Sequence, residues 1–159
     1  MKKILIKGPA LTRSGYGEQA RFALRSLASR PDLYDLYLMA TGWGKTSWVI
    51  EDDAERKWMD HLINKTASFI QSGGKFDASL QVTIPNEWER IAPYNVGYTA
   101  GIETTRVAPE WIEKANMMDK IIVVSNHSKN VFEYTTYVLQ NEKQQRVDFK
   151  CNTEIDVVN

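Results

Sequence analysis

Short apolar runs alternate along this chain with segments whose apolar residues recur at the spacing of a helix. The runs at residues 4–6 and 121–124 contain no polar side chain, which is typical of strands that are buried on both faces of a parallel sheet. A stripe at helical spacing follows the first run and is formed by Ala20, Ala23, Leu24, Leu27 and Ala28. This alternation predicts an α/β fold with a Rossmann-like, doubly wound, mainly parallel sheet and helices on both faces.

The same patterns set the expected elements. Strands are predicted at 3–7, 35–41, 78–84, 94–101, 119–125 and 146–151. Helices are predicted to begin near residues 15, 52, 109 and 128, with Gly15 and Ser128 as N-caps and Pro109 as a first helical residue. The last helix is expected to present one apolar face, formed by Val131, Phe132, Thr135, Val138 and Leu139.

Composition narrows the class of protein. A length of 159 residues fits a single domain, and 20 basic residues balance 20 acidic ones, so no surface for nucleic acid or an anionic membrane is expected. No apolar stretch approaches the length of a membrane span. Cys151 is the only cysteine and cannot form an internal disulfide, which favours a reducing, cytoplasmic setting. Lys7, Pro9 and Arg13 interrupt what could otherwise be the core of a signal peptide.

A loop with two glycines joins the first strand to the first helix. Gly15 and Gly17 stand where the helix begins, and Glu18 lies in its first turn, where the helix dipole favours a carboxylate. The unpaired N–H groups of a helix N-terminus can bind an anion when the residues around them are small. The spacing does not match G-x-G-x-x-G, so the glycines could equally serve only to close the turn.

In a parallel sheet, ligands bind outside the carboxyl ends of the strands. The segments expected at those ends are 8–17, 41–48, 85–88, 99–106 and 125–128. The second of them contains TGWGKTS, which resembles the end of a phosphate-binding P-loop, but Met39 stands where that motif requires a glycine. A surface loop is therefore the favoured interpretation of this segment.

Charged and aromatic residues follow the third and fourth predicted strands. Glu87 and Trp88 come after the third strand, and Glu103 and Arg106 come after the fourth. A carboxylate and an aromatic ring beside a cleft suit the hydroxyl groups and the ring face of a sugar. A surface salt bridge beside a packed tryptophan would leave the same pattern, so both interpretations stay open.

The two histidines do not predict a metal site. His61 and His127 are far apart, and neither has a cluster of cysteines or carboxylates beside it. His61 falls within a predicted helix. His127 follows a buried strand, where it could transfer a proton near neutral pH or simply belong to a capping loop.

Three stretches together resemble the N-terminal domain of the GT-B glycosyltransferases, of the retaining kind grouped as glycosyltransferase family 4. They are SGYGEQARFALRSL, FDASLQVTIPNEWE and VGYTAGIETTRVAPEWIEKANMMDKIIVVSNHSKNVF, and the likeness runs through most of residues 1–137. The resemblance implies that the glycine loop faces a cleft near the donor's phosphates, while this domain mainly holds the acceptor. With Glu87, the residues expected to bind substrate are Gly15, Tyr16, Gly17, Glu103, Arg106, Ser125 and His127.

The chain departs from this family in two ways. Many relatives carry a histidine at the end of the fourth strand, where this chain has Thr99, Ala100 and Gly101, so no catalytic residue is assigned. The family's second domain supplies most contacts to the nucleotide sugar, and no second domain is encoded in these residues. The segment CNTEIDVVN stands about where the connection to such a domain would begin.

The resemblance implies the acceptor-side half of a glycosyltransferase, with a nucleotide sugar as co-substrate, no other cofactor, and a sugar or glycan as acceptor. Such a half would need a C-terminal domain, from another chain or from a longer one, and is expected to be inactive alone. Two alternatives remain. One is a stand-alone, non-catalytic binding module of the same fold, and the other is an unrelated Rossmann-like nucleotide binder, against which the missing glycine pattern counts.

Overall fold

A computed structural model of the chain describes residues 1–42, 53–100, 106–140 and 146–158, with the side chains of 139, 140, 146 and 147 excepted. Its main sheet has six parallel strands in the order β2-β1-β3-β4-β5-β8. The strands are β1 (Lys2–Gly8), β2 (Tyr34–Ala40), β3 (Ala78–Val82), β4 (Tyr94–Tyr98), β5 (Lys120–Val123) and β8 (Ile155–Val157). The predicted α/β class with a doubly wound parallel sheet is confirmed.

The two apolar runs that suggested buried strands occupy inner positions of this sheet. β1 pairs with β2 on one side and with β3 on the other, and β5 lies between β4 and β8. Alternate residues of β1 face opposite sides, so Ile4 and Ile6 point to one face of the sheet while Leu5 points to the other. Inner strands expose no backbone edge, which is why unbroken apolar runs suit them.

Helices cover both faces. α1 (Gly15–Ala28) packs on the face of Ile4 and Ile6, and α3 (Pro109–Asn116) and α4 (Asn126–Tyr134) share an apolar cluster with Ile121 and Val123 on the opposite face. α2 (Ala54–Gln71) follows the outer strand β2. There the hydroxyl of Thr66 accepts a hydrogen bond of 2.8 Å from the backbone N–H of Leu38.

Two predicted helix caps are wrong, and in each case a serine three residues before the capped amide takes the position. Ser14, not Gly15, is the N-cap of α1, because its hydroxyl accepts a hydrogen bond from the N–H of Gly17 at 2.9 Å. Ser125, not Ser128, is the N-cap of α4 and accepts from the N–H of Ser128 at 3.1 Å. A glycine has no side-chain oxygen to offer at a cap, so Ser14 is favoured over Gly15 at the start of α1.

The last predicted helix and strand also need correction. α4 ends at Tyr134, and Thr136–Gln140 form β6, which pairs antiparallel with β7 (Arg146–Lys150) in a separate two-stranded sheet. The β-branched Thr135, Thr136 and Val138 favour an extended backbone over a helix. In the segment CNTEIDVVN, residues 155–157 form β8, which adds to β5 of the main sheet.

Candidate functional site

The carboxyl ends of the parallel strands meet at one edge of the main sheet, which we call the carboxyl edge. There the phenolic oxygen of Tyr16, in the first turn of α1, lies 2.9 Å from Oγ1 of Thr99, the residue after β4. The side-chain amide of Gln19 donates to the carbonyl oxygen of Thr99 at 3.1 Å. These bonds join the segments that follow β1 and β4, as expected for a site at this edge.

The loop between β1 and α1 is held by buried hydrogen bonds. The guanidinium of Arg21, only 5 % exposed, donates to the carbonyl oxygens of Ala10 and Thr12 at 2.6 Å each. Its other terminal nitrogen donates to the carboxylate of Glu18 at 2.6 Å, and this bond lowers the pKa of Glu18. Arg21 was not predicted to have a role, because its helical position placed it off the apolar stripe.

The two loop glycines serve different purposes. A Cβ atom on Gly17 would lie 2.3 Å from the carbonyl oxygen of Thr12, so only a glycine fits there. A Cβ atom on Gly15 would meet nothing within 4 Å, and Gly15 is exposed. Gly17 therefore closes the turn, and Gly15 leaves the start of the helix open to solvent.

A polar groove lies between α1 and the beginning of α2, beside this loop. Its volume is about 370 Å³, and it is lined by Arg13, Glu18, Arg21, Arg25, Asp53, Glu55 and Met59. Arg25 and Glu55 form two hydrogen bonds of 2.6 and 3.0 Å across it. The hydrogen bond to Glu55 raises the pKa of Arg25 further above neutrality, so the groove keeps this cation at every physiological pH.

Glu87 lies in a single 3-10 turn (Pro85–Glu87) after β3, with its side chain exposed at the carboxyl edge. The ammonium group of Lys7, near the end of β1, donates to Oε1 of Glu89 at 2.8 Å and to the carbonyl oxygen of Glu87 at 3.4 Å. Lys7 thus ties β1 to the segment that carries Glu87. Sequence reasoning missed Lys7, because its partners lie some 80 residues away along the chain.

Trp88 cannot offer its ring to a sugar, which corrects one of the two interpretations of this segment. Its side chain is 0 % exposed, and a Cβ atom on Gly97 of β4 would come within 2.5 Å of the indole ring. The ring therefore packs flat over a strand that has no side chain at that point. The indole Nε1 and the buried Oγ1 of Thr83 have no hydrogen-bond partner in the described structure.

Buried amides fix the segment between Trp88 and β4. The side chain of Gln81 accepts from the N–H of Glu89 at 2.9 Å and donates to its carbonyl oxygen at 2.6 Å. Oδ1 of Asn95 accepts from the N–H groups of Ile91 and Ala92 at 3.1 Å each. These side-chain amides bond backbone groups of residues 89–92 that a neighbouring strand would otherwise bond. The segment is therefore held against the sheet without forming a strand.

Arg106 contacts the two-stranded sheet. Its Nη2 donates to the carbonyl oxygen of Thr136 at 2.8 Å, and its guanidinium carbon lies 4.1 Å from the centre of the Tyr137 ring. The hydroxyl of Tyr137 in turn donates to the carbonyl oxygen of Val107 at 2.8 Å. These contacts direct Arg106 toward β6.

The remaining predicted residues follow β5 and β4. Ser125 is half-buried and uses its hydroxyl to cap α4, while His127 is exposed in the first turn of that helix. Glu103 lies outside the described residues. The contacts therefore bring Tyr16 to the end of β4 and Glu87 to the end of β1, and they leave the convergence of all eight predicted residues a prediction.

Comparison with known proteins adds no assignment. No protein-family model, curated protein or solved structure matches this chain. Within the described ranges, no group of histidine, cysteine or acidic side chains is placed to hold a metal ion. No helix in those ranges is long and apolar enough to cross a bilayer.

Proposed function

We propose that this chain is the acceptor-side half of a glycosyltransferase, one that transfers a sugar from a nucleotide-sugar donor and requires a second domain for the reaction. The proposal combines the resemblance of its sequence stretches to GT-B N-terminal domains with a parallel sheet of the expected class. The free cysteine, Cys151, also fits the expected cytoplasmic location.

The observation that supports the proposal best is the hydrogen bond between Tyr16 and Thr99. It joins the start of α1 to the end of β4, so two of the segments that carry the resemblance meet at the carboxyl edge. Ligands of open parallel sheets bind at this edge. The exposed Gly15 and the exposed carboxylate of Glu87 supply an approachable backbone and a hydrogen-bond acceptor for sugar hydroxyl groups.

A transferase must also stabilise the negative charge of the leaving diphosphate, usually with cations, amide dipoles or a metal ion. At the carboxyl edge, the start of α1 offers amide dipoles, and Lys7 is already paired with Glu89. Losing one well-placed donor typically lowers the rate roughly a hundredfold or more, and losing the positioning of the donor sugar costs several powers of ten. We therefore expect no useful transfer by the 159-residue chain alone.

The proposal is tested by incubating the purified chain with UDP- and GDP-sugars and a panel of saccharide acceptors, and by following nucleotide release. The expected result is release at the rate of the protein-free control. Turnover at an enzymatic rate without any added protein would show that the chain contains a complete catalytic site. Heat denaturation also inactivates a contaminating hydrolase, so a heat-denatured sample alone does not assign turnover to this chain. Tyr16→Phe therefore serves as a second control, and it must lower any genuine turnover.

A further inference from the structure

An apolar groove lies on the face of the main sheet opposite α1, away from the glycine loop. Its volume is about 570 Å³, which falls within the range of about 300 to 1,000 Å³ that is usual for small-molecule sites. It is lined by Leu5, Met39, Ile70, Gly74, Lys75, Phe76, Ile91, Ala92 and Pro93. The polar groove between α1 and α2 shares no residue with it.

The groove has a buried apolar floor and an exposed apolar rim. Its floor contains Leu5 and Phe76, which are 1 % and 9 % exposed, whereas Met39 and Ile70 at the rim are 36 % and 46 % exposed. Large apolar side chains on a rim are kept out of water when a ligand or partner covers them. The rim therefore gains the most from an occupant with an apolar body.

One wall of the groove is held in place before any ligand binds. Ile91 and Ala92 belong to the segment whose N–H groups donate to the buried Oδ1 of Asn95. The aromatic rings of Phe76, Tyr37 and Phe69 pack against one another behind the floor, with ring centres 4.7 to 5.4 Å apart. A preformed wall and floor reduce the ordering cost of binding.

A positively charged side chain lines the groove. Lys75 lines it, and no described carboxylate forms an ion pair with its ammonium group. Lys7 lies on the same face as Leu5 and pairs in register with Met39, but it does not line the groove, and its ammonium group is held by the carboxylate of Glu89 at 2.8 Å.

We propose that this groove binds a small amphipathic anion, with an aliphatic or aromatic body on Leu5 and Phe76 and a carboxylate or phosphate beside Lys75. The groove favours an apolar body, because most of its lining side chains are apolar. Charge selects an anion over a neutral or cationic analogue of the same length. Its lining includes neither the start of α1 nor Glu87, so the proposal stands whether or not the chain takes part in sugar transfer.

The test is a titration of the ¹⁵N-labelled chain with decanoate, decanol and decyltrimethylammonium, followed by amide chemical shifts. The two ionic probes are kept below their micelle concentrations and decanol is kept below its solubility limit. Decanoate is expected to shift the amides of Met39, Ile70 and Ala92 and to bind roughly threefold to fivefold more tightly than decanol. Equal binding of the three probes, or shifts centred elsewhere on the chain, would overturn the proposal. Concentration-dependent shifts of these amides without a probe would assign the groove to a second copy of the chain and would overturn it too.

Charge-reversal variants separate the groove from general surface charge. Lys75→Glu is expected to weaken decanoate binding roughly fivefold while leaving decanol binding unchanged, and added salt should reduce the difference. Lys57→Glu reverses an exposed charge on α2 outside the groove and should leave both affinities as they are. If the two variants affect decanoate equally, Lys75 does not select the anion. Ala92→Phe, which narrows the groove, should weaken both probes, and unchanged binding would place them elsewhere.

Discussion

The phenolic oxygen of Tyr16 lies 2.9 Å from Oγ1 of Thr99, so a buried hydrogen bond ties the first turn of α1 to the end of β4. In Tyr16→Phe this bond is lost and the Thr99 hydroxyl, which is 1 % exposed, keeps no tyrosine partner. We expect a loss of about 1 to 2 kcal/mol in the free energy of unfolding, measured by urea denaturation. Tyr134→Phe, at a side chain 78 % exposed, is the control and should have no effect. Equal stability of the two variants would contradict the importance of this bond.

The two glycines of the first loop should respond differently to alanine. Gly17→Ala places a methyl group 2.3 Å from the carbonyl oxygen of Thr12 and is expected to cost about 2 kcal/mol or more, because the buried loop cannot move aside. Gly15→Ala enters open space in the first turn of α1 and is expected to be neutral or slightly stabilising. Thermal unfolding of both variants measures the contrast. If both lose the same stability, the crowding at Gly17 is not what selects a glycine there.

Replacing a buried hydroxyl group that has no hydrogen-bond partner with an apolar group should stabilise the protein. Oγ1 of Thr83 is buried and unpaired in the described structure, so Thr83→Val removes a desolvated polar group and should raise the free energy of unfolding by up to about 1 kcal/mol. Thr66→Val is the matched opposite, since it leaves the N–H of Leu38 unpaired and should lower stability by about 1 to 2 kcal/mol. Urea denaturation of the two variants decides the matter. Destabilisation by Thr83→Val would reveal a partner for that hydroxyl.

Asp35 should make stability depend on acid pH. Burial raises the pKa of this carboxyl group, but hydrogen bonds from Lys65, Lys3 and Tyr37 outweigh burial and lower the pKa below its usual value. The folded pKa then lies below the unfolded value of about 3.9, so the stabilisation is present above about pH 4 and is lost as the pH falls through the folded pKa.

The difference in the free energy of unfolding between the wild-type chain and Asp35→Asn should therefore be largest near neutral pH and shrink below about pH 4. Urea denaturation at a series of pH values from neutrality downward measures it. Asp148→Asn removes an exposed carboxylate on β7 and is the control. Its difference in stability from the wild-type chain is not expected to shrink below about pH 4. A gap between wild type and Asp35→Asn that stays constant with pH would contradict the ion-pair account.

Local patterns predicted the main sheet because its strands carry their own signal. The runs of β1 and β5 are apolar throughout, and burial on both faces is what such runs require. The caps were misplaced because Ser14 and Gly15 are neighbours, and only the position of the Gly17 amide distinguishes them. The segment of Val138 and its neighbours fits either a helix face or an extended strand, and its pairing with β7 decided the outcome.

The site was less predictable because its contacts are distant in sequence. The space for the Trp88 ring is provided by Gly97 on another strand, so the sequence near Trp88 alone does not show that the ring is buried. Lys7 meets Glu89 over a separation of 82 residues. Tyr16 was predicted at the carboxyl edge from the resemblance, but its bond to Thr99 depends on the order of the strands, with β3 between β1 and β4.

The central claim is that the carboxyl edge holds a sugar acceptor, and the most direct measurement maps where saccharides bind. The ¹⁵N-labelled chain is titrated with a panel of mono- and disaccharides and with UDP-glucose, and amide shifts are followed. The account predicts shifts at Gly15, Tyr16 and Thr99. It also predicts roughly tenfold weaker saccharide binding by Glu87→Gln, while Glu113→Gln, on the exposed side of α3, leaves binding unchanged. Saccharide shifts confined to the opposite edge of the sheet, or a Glu87→Gln variant that binds like wild type, would contradict it.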